Sequence, residues 1–323
     1  MIAFGPVPSR RLGRSLGINH IPAKVCTYSC TYCQVGRTNR LRTARCPFLG
    51  VPAVVEAVEE KVEAARKSGE PVDYLTFVPD GEPTLDAGLG SMIEALRPLG
   101  IPIAVVTNGS LLDRTDVREE LTGADWVSLK VDTVDEETWR RVNRPHRRLR
   151  LASIFDGMQE FAAGFDGRLV TETMLLAGLN DSETELRAAA SFIGTLKPAT
   201  AYVAVPTRPP SEPWVRPATP DSITRAYEVF RALAGRVELL VGYEGDTFAT
   251  TGDPTEDLLA ITAVHPMREQ AVARLLRRAG APPSVVAELV RRGELVEVAY
   301  GGHRYVVRPT AGGDNVTMEK GRA

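Results

Sequence analysis

Three of the four cysteines stand in one short segment, Cys26-Thr-Tyr-Ser-Cys30-Thr-Tyr-Cys33, a CxxxCxxC spacing. Thiolates four and three residues apart can converge on one face of a cuboidal iron–sulfur cluster, leaving the fourth iron without a protein ligand and open to another molecule. Zinc is the competing reading. It needs four ligands and would have to recruit Cys46 or His20, and the chain offers neither a second CxxC nor an HxxxH pair. A lone quartet confined to the first fifth of 323 residues is also poor material for a disulfide framework.

Something must hold that triplet, and the apolar periodicity predicts a repeating strand–helix alternation. Strands are expected over Leu16 to Ile21, Asp73 to Val78, Ile101 to Thr107, Trp126 to Asp132, Leu169 to Leu176 and Ala201 to Val205, with Val237 to Tyr243 as one more. Helices are expected over 51–68, 87–97, 113–122, 135–142, 151–163, 182–196 and 220–233. Parallel neighbours need a long crossover, which helices supply, so the fold class is α/β: a partial (β/α)6 TIM-like barrel with its active-site loops after the strands' C-terminal ends. Past Gly252-Asp253-Pro254 the character changes. Three short helices (256–264, 268–279, 283–292) and a hairpin across Gly301-Gly302 predict a small winged-helix-like module. The expected division is a barrel over 1–250, the winged-helix-like module over 253–309 and a disordered tail over 310–323.

CxxxCxxC with an aromatic residue, Tyr32, before the last cysteine resembles the signature of the radical S-adenosylmethionine (SAM) superfamily. The resemblance implies a 4Fe-4S cluster on Cys26, Cys30 and Cys33 whose open iron chelates SAM, reductive cleavage to a 5′-deoxyadenosyl radical, and an external electron donor such as flavodoxin or ferredoxin. It also implies SAM contacts at the strand ends. Gly81 and Glu82, in Val-Pro-Asp-Gly-Glu-Pro, match the Gly-Glu motif that meets the methionine amino group. Thr107 and Asn108, and then Asp132, match positions that offer polar groups to the SAM carboxylate and ribose. Strand alternation leaves Glu172 on the fifth strand as an inward ribose or substrate contact or, equally, a barrel-interior polar residue satisfied by a neighbour, and Pro206 lies where the family holds adenine by backbone. Lys130 is a catalytic candidate, as a Schiff base or general base, on the condition that its basicity is depressed.

The phrase Gly5-Pro-Val-Pro-Ser-Arg-Arg-Leu-Gly-Arg-Ser-Leu-Gly-Ile-Asn19, the Val-Pro-Asp-Gly-Glu-Pro-Thr segment and Ile-Thr-Ala-Val-His265-Pro-Met-Arg268 together resemble a subgroup related to the tRNA wybutosine-synthesis radical SAM enzymes. Those enzymes carry a second cluster on additional cysteines, and that second set is absent here. The departure weakens the specific tRNA reaction and leaves the general radical chemistry.

Charge adds a substrate class. Residues 1–50 hold eight Lys or Arg and no Asp or Glu, and the run Arg140, Arg141, Arg144, His146, Arg147, Arg148 and Arg150 borders a strand-end loop, although the net charge is only -2. An anionic partner follows as an expectation: a nucleic acid or a phosphorylated or nucleotide-like molecule. The rivals are a radical modifier or activase of a protein or peptide, and a non-enzymatic iron–sulfur sensor reading DNA through the winged helix. No apolar run approaches the roughly 20 residues of a bilayer span, so the expected location is the cytoplasm, with no membrane partner.

Overall fold

The computed structural model describes residues 2–242, 248 and 253–309. In chain order the strands of the barrel are β1 (Ala3–Ser9) and β2 (Gly13–Ile18), the two-residue pair β3 (Val25–Cys26) and β4 (Arg40–Leu41), then β5 (Tyr74–Phe77), β6 (Ile103–Thr107), β7 (Trp126–Lys130), β8 (Arg168–Met174), β9 (Thr200–Ala204) and β10 (Val237–Leu240). Between them run α1 (Val51–Lys67), α2 (Leu89–Leu96), α3 (Thr115–Leu121), α4 (Glu136–Val142), α5 (Leu151–Gly164), α6 (Glu183–Thr195) and α7 (Pro220–Ala234). One sheet takes the order β1-β2-β5-β6-β7-β8-β9-β10. Every pairing from β2 to β10 is parallel, and β1 alone runs antiparallel at the edge. The result is an α/β partial barrel of the TIM type.

Alternation sorts the two faces of this sheet. Leu75, Phe77, Ile103, Val105, Val127, Leu129 and Val203 point outward and form one core with the helices, where α1 contributes Val54, Val58 and Val62 at helical spacing. Each such fully buried side chain contributes about 1.5–3 kcal/mol. Ala104, Trp126, Val170 and Tyr202 point inward, and Leu12 from the β1–β2 turn packs among them. The hairpin turn thereby floors the concave face.

β1 was not expected from the sequence, because Gly5-Pro6 and Pro8 interrupt any strand pattern. An edge strand tolerates them: the register slips between Phe4 and Val7, and Gly5 takes φ +94 at the slip. The expected strand at Leu16 starts earlier, at Gly13. Of the expected Val237 to Tyr243 strand, Tyr243 lies outside the described residues, as do Gly252 and the 310–323 tail.

The C-terminal module contains α8 (Pro254–Val264), β11 (Met267–Arg268), α9 (Glu269–Arg278), α10 (Ser284–Arg291), β12 (Val296–Tyr300) and β13 (His303–Val307). The three helices and the hairpin appear where expected; β11, too short to carry a pattern, completes an antiparallel sheet of order β11-β13-β12. Its core of Leu258, Ile261, Leu275, Leu289 and Leu295 also takes in Phe4 and Val7 of β1. This core therefore packs across residue 253, joining the edge strand β1 to the C-terminal elements.

Candidate active site

Cys26 ends β3, and the loop it opens is held by backbone on two sides. Arg42 N donates to Cys26 O at 3.0 Å and Asn39 N to Lys24 O at 3.0 Å, while His146 N donates to Thr27 O at 2.9 Å and Thr31 N to Val142 O at 2.9 Å. A segment with no regular structure of its own is thus fixed by its neighbours. The three thiols are half-buried, and each accepts from a different side-chain donor: Cys26 Sγ from Asn108 Nδ2 at 3.7 Å, Cys30 Sγ from Asn143 Nδ2 at 3.5 Å and Cys33 Sγ from Lys24 Nζ at 3.7 Å. Burial pushes the Cys26 thiol well up, helped by the nearby Glu82, and raises Cys30 to about 12, helped by Asp132. Protonated thiols this reluctant to ionise release their protons when a metal takes the place of the hydrogen.

Among the described residues no three His, Cys, Asp or Glu side chains converge as ligands of a single ion. Yet the Cys30 and Cys33 sulfurs lie near enough to Cys26, and Cys33 near enough to Cys30, to push the Cys26 and Cys30 pKa values further up. A wider convergence of three soft donors, each supplied with an N–H, fits a cluster better than a lone zinc. Cys46 lies apart in role. It bridges to Asp86 in the loop after β5, with Cys46 N on Leu85 O at 3.1 Å.

Gly81 and Glu82 sit directly against the cysteine loop. A Cβ on Gly81 would meet Val25 O at 2.1 Å, and Glu82 N donates to that same carbonyl at 3.1 Å. Only glycine permits so close an approach. The Glu82 carboxylate is 1% exposed. It accepts from Thr84 N at 3.1 Å, Thr84 Oγ1 at 2.6 Å, Thr107 Oγ1 at 2.5 Å and Asn108 N at 2.9 Å. Burial raises its pKa, and these bonds pull against the rise. Glu82, Thr107 and Asn108 therefore form one unit that ties the ends of β5 and β6 together beneath Cys26.

Asp132 and Tyr32 make a second unit. Tyr32 OH donates to Asp132 in a short bond, Asn143 Nδ2 reaches the same carboxylate oxygen at 2.7 Å, and Met174 N donates to its other oxygen at 2.8 Å. Asp132 is consumed in placing Tyr32 and Asn143 against Cys30.

Lys130 and Glu172 face inward from β7 and β8 as register partners and form a short ion pair, joined on the other side by Arg11 from the hairpin turn. Lys130 Nζ also stands 5.0 Å from the Tyr32 ring centroid, and Arg11 lies over Trp126 and Tyr202 at 5.9 Å each. Burial would raise the Glu172 pKa, but the two cations hold it down to about 2. The condition set on Lys130 is not met: burial lowers its pKa, yet Glu172 and Asp132 outweigh that and the net shift is upward. A lysine kept charged in this way is a poor Schiff-base nucleophile.

Pro206 is buried, and its carbonyl accepts from Tyr300 OH at 3.1 Å while Thr207 O accepts from Tyr305 OH at 2.8 Å. Gln34, next to Cys33, donates to Val264 O at 3.0 Å and accepts from Arg208 at 2.8 Å; Arg208 in turn meets His265 Nε2 at 3.0 Å. The C-terminal module is thus bonded to the loop after β9 and to the cysteine loop. His265 serves there as a neutral acceptor at the end of α8, its pKa pushed well down by burial and Arg208.

The sequence reading missed Lys24, Asn143 and Arg11. Lys24 had one signal, its place two residues before Cys26; it is buried with φ +62. Asn143 ends α4 and Arg11 lies in a turn, and neither position has a periodicity that would mark it.

The Radical SAM superfamily model matches residues 20–189, and the chain belongs to that superfamily. It is an enzyme that uses SAM and an iron–sulfur cluster. The UPF0026 protein of Methanocaldococcus jannaschii is 43% identical over 309 residues, covering 95% of this chain and 96% of the relative. An S-adenosylmethionine-dependent nucleotide dehydratase of Lacinutrix mariniflava is 32% identical over 87 residues, 27% of this chain and 18% of that protein. The solved structure of TYW1 with a lysine-pyruvate adduct bound shares the fold, with a TM-score of 0.51 at 16% identity over 68% of this chain and 73% of that one. No helix among the described residues is long and apolar enough to cross a membrane.

Proposed function

We propose that the cluster is a 4Fe-4S cube held by Cys26, Cys30 and Cys33, and that the enzyme cleaves SAM reductively to act on an anionic, nucleotide-like or phosphorylated substrate. The observation that carries this reading is the set of three N–H donors, Asn108, Asn143 and Lys24, one to each thiol. Hydrogen bonds to the sulfurs are a protein's means of tuning a cluster toward electron uptake. When bound, the cluster would supply one electron to break the sulfonium C–S bond of SAM. The protein's own residues place and shield that event: Gly81 admits the tight packing, the Glu82–Thr107–Asn108 unit fixes the strand ends, and Asp132 orients Tyr32 and Asn143.

An anionic substrate is supported by Lys130 and Arg11 on the inner face, two cations around the single carboxylate of Glu172, and by the name of the nucleotide dehydratase relative. We read the module's order of helix, strand, two helices and hairpin as a winged helix. Its tyrosines grip the loop after β9, which favours a role in completing the barrel mouth over one as a DNA reader.

The test is anaerobic reconstitution with iron and sulfide, addition of SAM and reductant, and assay of 5′-deoxyadenosine with and without nucleotides or total tRNA. Cys30→Ala is expected to abolish the product while the chain stays folded, and Cys46→Ala to leave it. Undiminished product from Cys30→Ala would overturn the ligand assignment.

A further inference from the structure

Three strips of chain meet along the backbone of the cysteine loop. Residues 36–44, 143–150 and 207–217 contain three, four and two arginines, and the only carboxylate among them is Glu212. Structure brings the strips together. Thr38 Oγ1 donates to Tyr28 O at 2.6 Å, Ser29 N to Asn143 O at 3.0 Å, and Ser211 Oγ to Cys30 O at 2.9 Å, with Glu212 N on Thr31 O at 3.0 Å. Arg37 and Arg144, one from each flanking strip, share the buried Glu212, so that single negative charge is already answered by two positive ones. Arg147 and Arg148 are exposed beside them, and their field, after burial, lowers the His146 pKa. Two residues after Glu212 stands Trp214, 50% exposed, the most exposed large apolar side chain described. Its chain neighbour Val215 is 1% exposed and packs in the cluster that holds Cys30 and Tyr32.

An exposed tryptophan two residues from the carboxylate that Arg37 and Arg144 share has the composition of an interface centre, since Trp and Arg dominate binding energy where charge and apolar area coincide. The strips reach the loop at the backbone of Tyr28, Ser29, Cys30 and Thr31, and Asn143, the first residue of the middle strip, also donates to the Cys30 sulfur. A molecule seated on the arginines would lie against the loop that carries the cysteines. Closeness to the cysteine loop suits an electron carrier, and an exposed tryptophan among arginine-rich strips suits a protein partner. We propose that Trp214 and the arginines around it, Arg37, Arg144, Arg147 and Arg148, seat an acidic one-electron carrier protein, which is oxidised by one electron as the cluster is reduced by one. This rests on the cluster assignment above. Steering by opposite charge gives such weak, rapid complexes their rate, and salt removes it.

The test compares the reconstituted holoprotein with its Trp214→Ala and Arg147→Glu/Arg148→Glu variants. Two quantities are measured: affinity for a flavodoxin by calorimetry, and the rate at which flavodoxin hydroquinone or dithionite bleaches the cluster's visible absorbance. Both variants are expected to lose about tenfold or more in the flavodoxin rate at low salt, with weaker binding, the order of magnitude that charge steering supplies. The dithionite rate is expected to stay unchanged, since a small reductant needs no docking surface. Flavodoxin rates equal to wild type in both variants would overturn the proposal and leave the cluster assignment standing. Loss of total-tRNA binding in the arginine variant with flavodoxin reduction intact would overturn it in favour of a nucleic-acid seat. A holoprotein that takes up no cluster would remove the assignment and the proposal together.

Discussion

The side-chain nitrogen of Asn143 lies 3.5 Å from the sulfur of Cys30, and the Asp132 carboxylate that fixes it there is 2.7 Å away on the same nitrogen. A donor aimed at a cluster sulfur stabilises the reduced, more negative state above the oxidised one. Asn143→Ala should therefore leave the cluster in place and lower its reduction potential by about 40 mV, the one-electron equivalent of a hydrogen bond worth roughly 1 kcal/mol. A redox titration followed by EPR measures this; a potential unmoved or raised would show that the contact tunes nothing.

Gly81→Ala drives a methyl group to within 2.1 Å of the Val25 carbonyl, in the residue before Cys26. Backbone cannot yield as a flexible side chain can, so the expected cost is about 2–3 kcal/mol, at the upper end for overpacking. Urea unfolding would report the loss. Iron content after reconstitution should fall with it, because the displaced carbonyl belongs to the strand that delivers the first thiol.

Glu172→Gln removes the carboxylate between Lys130 and Arg11 and leaves two cations facing each other in a half-buried site. A loss of about 3 kcal/mol is expected at neutral pH. The sign with pH follows from a depressed carboxylate: its contribution is present above the ordinary value of 4.5 and fades as pH falls toward about 2. Wild type and variant should converge in stability at the acid end, and a constant gap across that window would refute the assignment.

His20 is fully buried, edge-on to Phe77 at 5.1 Å, and burial lowers its pKa from 6.5 to about 4. It stays neutral in the folded chain while the unfolded chain takes up a proton, so stability drops as pH falls through 6.5 and levels off below about 4. Between roughly pH 7 and roughly pH 5 the histidine should cost about 2 kcal/mol relative to His20→Gln. Equal pH slopes for the two proteins in denaturant titrations would contradict the buried neutral state.

The strand–helix alternation was legible because parallel strands buried on both faces are continuous apolar runs, and Ile103 to Val106 or Ala201 to Ala204 can hardly be read otherwise. The cysteine triplet was legible through its spacing alone. What stayed hidden depends on distant partners. β1 reads as a proline-broken leader until β2 pairs with it. Asn143 is one polar residue at a helix end among many until the loop 113 residues earlier folds over it. Glu82, Thr107, Asn108 and Asp132 were singled out at strand ends through the family resemblance, but spacing could not show that each spends its polar atoms on the protein itself. Lys130 shows the same gap: its place at a strand end was readable, and the Glu172 and Arg11 charges that fix its protonation were not.

Leu12 and Arg11 close the concave face from below, and both come from the three-residue turn that joins the first two strands. The depth available to a reactant is consequently written in a surface turn and is separable from the helices that stabilise the sheet. Shortening Leu12 to alanine would lower that floor without touching a cysteine, so the size of molecule admitted can drift, or be engineered, while the radical-generating apparatus above stays the same.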